Sequence, residues 1–214
     1  MRYAIYLSPT HGSALEQCAA RWLGRSAFGG PVVPPEAPAA AIPTTPARYG
    51  FHATMRAPFR LAHGATEEAL CAHFERFAAE HGEIAVELAV ARLGPFFALT
   101  APQDARLPHL HRLTLKAFEP FRAPLSEEER SRRKPHTLNA RALELLDAWG
   151  YPHVLDNFQF HMTLSGPVAV ADQPAVRSAA TQFFQDVCAS PQRLRFALFV
   201  ERTAGGPFSV LSMQ

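Results

Sequence analysis

One short motif occurs twice in the chain, first as Gly50-Phe51-His52-Ala53-Thr54 and later as Gln159-Phe160-His161-Met162-Thr163. Each copy is followed by a predicted helix, a predicted strand and a second shared motif, Gly94-Pro95-Phe96 or Gly206-Pro207-Phe208. A matching order of elements and two matching motifs indicate an internal duplication. The sequence therefore predicts a single bilobal domain whose similar halves are approximately residues 1–104 and 105–214.

Hydrophobic periodicity predicts a mixture of strands and helices around the repeated motif. Strands are predicted at residues 1–7, 49–59, 84–91, 96–100, 158–166, 193–201 and 208–213. Helices are predicted at residues 13–23, 66–81, 107–121 and 172–187, with Ser13 and Asp172 as candidate N-caps. The expected fold class is α+β.

Two segments break the symmetry between the halves. Residues 29–46 hold six prolines and are predicted to form an ordered loop or a mobile cover, because proline disfavours helix interiors and central strands. Residues 126–150 are predicted to form a charged helical insertion that is interrupted at Pro135 and ends at Gly150. Either segment is a candidate lid.

Composition limits the class of protein. The chain has 214 residues, 48% of them hydrophobic, and a net charge of +2, which argues against an extended nucleic acid as the partner. Its three cysteines are odd in number and far apart, as expected of core thiols in a reducing compartment. We find no apolar run of about 18 residues and no signal-like start, so a cytoplasmic protein without a membrane span is expected.

The side-chain period of two in a strand places the chemistry of both motifs on one polar face. His52 and Thr54 share a face of the first strand, and His161 and Thr163 share a face of the second. Two residues along a strand span about 6.6 Å, so one phosphate could contact both side chains of a pair. If the two strands adjoin, two imidazoles flank a single phosphate.

Two imidazoles supply what phosphodiester cleavage needs near neutral pH. A neutral histidine takes a proton from the attacking water or sugar hydroxyl, and a protonated histidine donates one to the leaving oxygen. The hydroxyls of Thr54 and Thr163 can stabilise the phosphate oxygens. The sequence does not distinguish the acid from the base, and the scheme requires no metal or cofactor.

The paired His-x-Thr motifs resemble those of the 2H phosphoesterase superfamily, which includes RNA 2′,3′-cyclic phosphodiesterases and 2′-5′ RNA ligase-like proteins. Within it, Tyr49 to Thr54, Trp149 to Pro152 and Phe158 to Leu164 resemble the DUF1045 branch, which is associated with phosphonate metabolism. The resemblance implies a bilobal α+β fold in which two antiparallel sheets form a central groove and helices pack outside. It implies metal-independent catalysis by His52 and His161, with Thr54 and Thr163 on the phosphate.

Three further residues are candidate substrate-binding residues, each with a structural alternative. Arg56 and Ser165 continue the polar faces of the two strands, although a salt bridge at the rim explains Arg56 equally well. Tyr6 lies on the first strand, where packing in the core is the simpler role. The basic run at residues 130–134 is either a solvated helix surface or a lid that grips a phosphorylated substrate.

The sequence thus favours hydrolysis of a small phosphorylated sugar or nucleotide, of the cyclic phosphodiesterase type. One alternative is a phosphate-ligand or RNA-binding module without turnover, and another is RNA ligation at the same site. His109 and His111 are close enough to suggest a metal pair, but residues two apart on a helix do not share a face, so helix-surface or core roles are preferred.

Overall fold

A computed structural model describes residues 1–41 and 44–214, and within these residues the chain forms a mixed α and β protein. Its strands are β1 (Arg2–Pro9), β2 (Ala53–Phe59), β3 (Ile84–Val86), β4 (Ala89–Leu93), β5 (Phe96–Thr100), β6 (His161–Thr163), β7 (Gln192–Glu201) and β8 (Ser209–Met213). Its α-helices are α1 (Ala14–Leu23), α2 (Thr44–Tyr49), α3 (Glu67–His81), α4 (Arg106–Phe118), α5 (Glu127–Arg132), α6 (Ala140–Trp149) and α7 (Gln173–Cys188).

Polar side chains begin several of the helices. The Ser13 hydroxyl accepts from the backbone N–H of Glu16, and Thr66 caps α3 in the same way. Ser126 and Glu129 form a reciprocal capping box at α5. Asp172 does not act as the predicted N-cap of α7: its backbone is already helical and its side chain makes no capping hydrogen bond. The physical reason is that the short 3-10 turn Val170–Asp172 runs directly into the helix.

All strands belong to one antiparallel sheet rather than to two separate sheets. Its order is β3-β7-β1-β2-β6-β5-β4, and β8 also pairs with β7. The link between β2 and β6 is a single residue pair, Ala53 with Met162, whereas β1 pairs with β7 along its entire length. The sheet therefore consists of two well-paired groups of strands that adjoin at one narrow seam.

The two groups of strands do not correspond to the two halves of the sequence. β7 and β8, from the C-terminal half, pair beside β1, while β4 and β5, from the N-terminal half, pair beside β6. A boundary near residue 104 therefore divides the sequence but does not divide the sheet into two lobes.

The predicted strand at residues 84–91 is split between opposite edges of the sheet. β3 pairs with β7, whereas β4 pairs with β5, and only Glu87 and Leu88 connect them. Three Cα–Cα steps of about 3.8 Å limit the distance from Val86 to Ala89 to about 11 Å. The sheet must therefore curve until its two edges come close together.

The predicted strands that carry the repeated motif are shorter in the structure. β2 begins at Ala53 rather than at residue 49, because α2 ends at Tyr49 and residues 50–52 form the turn after it, and β6 contains only three residues. Part of the predicted Pro-rich loop is thus helical, and residues 42–43 of that loop lie outside the described residues. The predicted insertion at residues 126–150 does contain two helices, α5 and α6.

One face of the sheet packs against helices α1, α3, α4 and α7 to form the main core. Phe74 and Phe184 are fully buried there, together with the inward side chains Met55 and Met162 of the two motif strands. The Trp22 indole N–H donates to the carbonyl oxygen of Leu164 at 2.8 Å, which fixes α1 against the end of β6. The helices therefore hold the motif strands from behind and leave their other face open.

Further features of the described chain bear on its class. None of the helices within residues 1–41 and 44–214 has the length and apolar character needed to cross a bilayer. All three cysteines are unpaired and half-buried, in agreement with their prediction as thiols rather than disulfides. Burial raises the pKa of the Cys18 thiol to about 11.

Candidate active site

The two His-x-Thr motifs lie side by side at the seam of the sheet. Ala53 pairs with Met162 in antiparallel register, so continuation of that register places each histidine opposite the threonine of the other strand. Both central side chains are buried on the helix-covered face. The outer side chains of the motifs therefore share the open face, where directly opposed Cβ atoms are typically about 4.5–5.5 Å apart.

Each imidazole is anchored through the same atom. The Nδ1 atom of His52 lies 2.8 Å from the carbonyl oxygen of Gly50, and Nδ1 of His161 lies 2.8 Å from that of Gln159. A carbonyl oxygen can only accept, so each Nδ1 carries the proton. In the neutral ring, Nε2 is then free to accept a proton.

Gly50 is required at the turn that positions the carbonyl oxygen bonded to His52. Its φ is +75°, and a Cβ atom there would lie 2.6 Å from the Cβ of Ala27. Only glycine adopts this left-handed conformation without strain and also fits the space. The chain therefore turns from α2 into β2 with the Gly50 carbonyl directed at His52.

His52 occupies the more enclosed position. Its ring stacks on that of Tyr6 with centroids 3.6 Å apart and planes inclined by 16°. Its Nε2 lies 3.2 Å from the Thr54 hydroxyl. Burial lowers the pKa of His52 to about 4, against the opposing effect of the Gly50 carbonyl; the nearby positive charge of His161 lowers it further. The ring is therefore neutral near pH 7.

His161 and His52 are both partly exposed, but the hydrogen bond that anchors His161 is more exposed than the one that anchors His52. The nearest aromatic neighbour of the His161 ring is Phe96, at a centroid distance of 5.8 Å. Electrostatic repulsion from His161 contributes to the lowered pKa of both His52 and His153. Thr163, two residues on, is half-buried and lines the same groove.

Arg56 does not line the groove that the motifs share. A β-bulge between Thr54 and Arg56 breaks the pairing of β1 with β2 and interrupts the strand alternation. Arg56 is consequently buried, with 2% exposure, and forms an ion pair with Glu119. The structure places this predicted substrate-binding residue in a structural ion pair.

Tyr6 and Ser165 both line the groove, and both also have structural roles. Tyr6 is buried beneath His52. The Ser165 hydroxyl accepts from the N–H of Phe97 at 2.9 Å and donates to the carbonyl of Gly166 at 2.8 Å. Ser165 therefore joins the end of β6 to β5, and its hydroxyl is already engaged within the protein.

The two closely spaced histidines of α4 do not form a metal pair. His111 is buried, its Nδ1 donates to the carbonyl of Met55 at 3.0 Å, and its Nε2 accepts from the N–H of Leu155 at 3.1 Å. His109 is exposed on the same helix. The preferred structural interpretation is thus confirmed for His111.

The open face of the motif strands is the floor of a groove of about 1100 Å³. Both asymmetric segments contribute to its lining, the first through Pro46 and the second through Arg133. Tyr49 and Tyr151, which sequence reasoning did not propose as site residues, also line it. Each is next to a glycine, in Tyr49-Gly50 and Gly150-Tyr151, and each lies in a motif that resembles the DUF1045 branch, which is the signal that could have indicated them.

Fold and site together define a mixed α and β protein in which His-x-Thr motifs from two adjacent strands line one groove. The family model described as protein of unknown function (DUF1045) matches residues 54–209. The chain belongs to this DUF1045 family.

Two relatives have the same printed name, ribose 1,5-bisphosphate phosphokinase PhnN. The chain is 35% identical to that of Janthinobacterium sp. (strain Marseille) over 227 residues, which cover 97% of this chain and 49% of the relative. It is 36% identical to that of Laribacter hongkongensis (strain HLHK9) over 213 residues, which cover 97% of this chain and 50% of the relative. The chain thus spans about half the length of the relatives it matches.

Proposed function

We propose that the groove is the active site of a metal-independent phosphoesterase of the cyclic phosphodiesterase type. The observation that carries the proposal is the pairing of Ala53 with Met162, which gathers two histidines and two threonines on one open face. Its substrate is a small phosphorylated sugar or nucleotide, in keeping with the association of the resembling branch with phosphonate metabolism. The relatives support a sugar phosphate, because their name specifies a ribose bisphosphate.

We infer the roles of the two rings from their environments. His52 is enclosed by Tyr6 and kept neutral, so it is the general base, while His161, whose anchoring hydrogen bond is more exposed, is the general acid. His52 Nε2 takes a proton from water as the water oxygen bonds to phosphorus. The bond from phosphorus to the ring alkoxide breaks, and protonated His161 donates its Nε2 proton to that oxygen.

The threonines act on the phosphate rather than on protons. The hydroxyls of Thr54 and Thr163 donate hydrogen bonds to the non-bridging phosphate oxygens, whose charge they stabilise in the transition state. Ring opening yields a phosphate monoester and a free hydroxyl. His52 then carries the proton that His161 has lost, and exchange with solvent restores both rings.

Phosphoryl transfer by a kinase is a second candidate, since it is the activity in the relatives' name. The 214 residues contain no GxxxxGK[ST] motif, the glycine-rich loop that cradles nucleotide phosphates in many kinases. The chain also spans only half of each relative. We therefore place the kinase activity of the relatives in the half that this chain does not match.

The test is a turnover screen with 2′,3′-cyclic nucleotides and ribose cyclic phosphates. His52→Ala and His161→Ala should each lower the rate about 10²–10⁴-fold while circular dichroism stays unchanged. His109→Ala, at an exposed position on α4, is the matched control and should keep full activity. Full activity in either motif variant would refute the assignment.

The same screen separates the alternatives. Tight binding of a cyclic phosphate without product indicates a binding module, and joining of RNA ends indicates a ligase. Phosphorylation of ribose 1,5-bisphosphate by ATP with this chain alone would instead support the kinase.

A further inference from the structure

Five arginines line the groove, and four of them have carboxylate partners. Arg2 and Arg48 both pair with the buried Glu201. Arg60 pairs with Glu129, and Arg132 pairs with Glu128. The fifth, Arg133, has no ion-pair partner within residues 1–41 and 44–214. The wall formed by the insertion therefore presents a positive charge that is not neutralised by the described part of the chain.

Local structure directs Arg133 into the groove. It is the residue after α5, its N–H donates to the carbonyl oxygens of Arg130 and Ser131, and the following residue, Lys134, has a φ of +48°. The chain thus turns immediately after Arg133. Arg130, three residues earlier, instead pairs with Asp147 on α6.

The guanidinium of Arg133 lies over the ring of Tyr151. The Arg133 Cζ atom lies 4.9 Å from the centroid of the Tyr151 ring, within the range of a cation–π contact. A cation–π contact uses none of the five guanidinium N–H donors, so they remain available to a ligand. An arginine supported in this way can bind phosphate through two parallel hydrogen bonds.

The charge of Arg133 also affects the pKa of two neighbouring groups, Tyr151 and His153. Burial raises the pKa of Tyr151, and the Arg133 charge opposes that rise. Burial lowers the pKa of His153, and His161 and Arg133 both lower it further. Arg133 and His161 line the same groove, whose volume of about 1100 Å³ far exceeds the space needed by one phosphate.

We propose that Arg133, supported by Tyr151, binds a second phosphate group of the substrate, a terminal phosphate monoester. The substrate is then a sugar with its cyclic phosphate at the two histidines and its second phosphate at Arg133. This inference rests on the proposed function, because it takes the histidines as the site of the reacting phosphate.

The test compares two probes that differ only in the second phosphate, adenosine 2′,3′-cyclic phosphate with and without a 5′-phosphate. The wild-type chain should have a KM about tenfold lower for the probe with the 5′-phosphate, since an arginine–phosphate pair supplies roughly that much binding. Arg133→Gln should abolish this preference, so that the two probes have the same KM, and Arg133→Lys should restore part of it. Arg130→Gln, whose side chain pairs with Asp147, is the control and should keep the preference.

A binding measurement separates failure of this inference from failure of the proposed function. Calorimetry with ribose 1,5-bisphosphate and ribose 1-phosphate, which lacks only the terminal phosphate, requires no turnover. Tighter binding of the bisphosphate that is lost in Arg133→Gln supports the inference even if no cyclic phosphate is hydrolysed. Equal preference in wild type and Arg133→Gln, in kinetics or in calorimetry, overturns it.

Discussion

The properties of the His52 ring are set by the residues that enclose it. Tyr6 covers one face at a centroid distance of 3.6 Å, the Gly50 carbonyl accepts from Nδ1, and the Thr54 hydroxyl lies beside Nε2. Enclosure removes water from the ring, and loss of water disfavours the charged form. The proposed base is therefore neutral without any charged partner.

The first prediction concerns Tyr6. With a pKa of about 4 for His52, the acidic limb of the kcat/KM profile should fall near pH 4 rather than near 6.5. Tyr6→Leu opens the ring to water, which raises this pKa, so the limb should move to higher pH. Loss of the stack also misplaces the ring and should lower kcat by on the order of tenfold or more.

Tyr6→Phe is the matched control for this prediction, because it keeps the aromatic ring and removes only the hydroxyl. Its acidic limb should stay near that of the wild type. An unchanged limb in Tyr6→Leu, measured over pH 3.5 to 8, would contradict a role for stacking.

At the residue scale, the sequence indicated which face of its strand each of the four motif side chains occupies, but it did not indicate the positions of their neighbours. Strand alternation correctly placed His52 and Thr54 on one face. It failed two residues later, at Arg56, because a β-bulge depends on pairing with β1 and has no local signature. The sequence offered Arg133 within a possible basic lid but not its contact with Tyr151, because that contact depends on tertiary packing.

At the element scale, α4 is tied to the motif strand through His111. Its two ring nitrogens bond to the backbone of Met55 in β2 and of Leu155, and its ring stacks on Phe158 at a centroid distance of 4.0 Å. Because Nε2 must accept from an N–H, the ring has to stay neutral. Burial, the largest cause, lowers the pKa of His111 to about 4.

The second prediction is that His111 makes the stability of the folded chain sensitive to acid. Between pH 6.5 and 4 the unfolded chain binds a proton at His111 that the folded chain excludes, so stability is full above pH 6.5 and falls as pH drops toward 4. The expected loss from this group is on the order of 3 kcal/mol. Urea unfolding at pH 7 and pH 4.5 measures it.

His111→Gln removes the titrating group and should show a smaller difference between the two pH values, although it unfolds more easily at pH 7. His109→Gln, on the exposed side of α4, should follow the wild type. Parallel pH dependence in His111→Gln and wild type would show that the imidazole is not responsible.

Helix positions followed from sequence better than strand limits did, for a physical reason. A helix closes its hydrogen bonds locally, and caps such as Ser13 and Thr66 mark its start within the same few residues. A strand ends where its partner ends. Residues 84–91 alternate as one strand, yet they divide into β3 and β4 because their partners, β7 and β5, lie in different groups.

At the scale of the whole molecule, strands from the two halves of the sequence alternate within one sheet and do not form two separate sheets. β7 lies between β1 and β3, so the N-terminal half of the sequence can complete its strand group only with a strand from the C-terminal half. β6 likewise lies between β2 and β5, both from the N-terminal half. The repeat was visible in the sequence, but this exchange of strands was not, because pairing between distant segments leaves no local pattern.

The third prediction follows from that exchange: neither half of the sequence should fold alone. A fragment of residues 1–104 keeps β1 but loses β7, which pairs with every residue of β1, from Arg2 opposite Glu201 to Pro9 opposite Leu194. Its strands would expose unpaired backbone groups and the apolar side chains that now form one core. A fragment of residues 105–214 keeps β7 and β8 but loses the strands on both sides of β6.

Each fragment should therefore show no cooperative thermal transition by circular dichroism, whereas an equimolar mixture should recover the transition of the intact chain. Cooperative unfolding of the 1–104 fragment by itself would mean that the halves are independent lobes and that the seam between Ala53 and Met162 is a domain boundary.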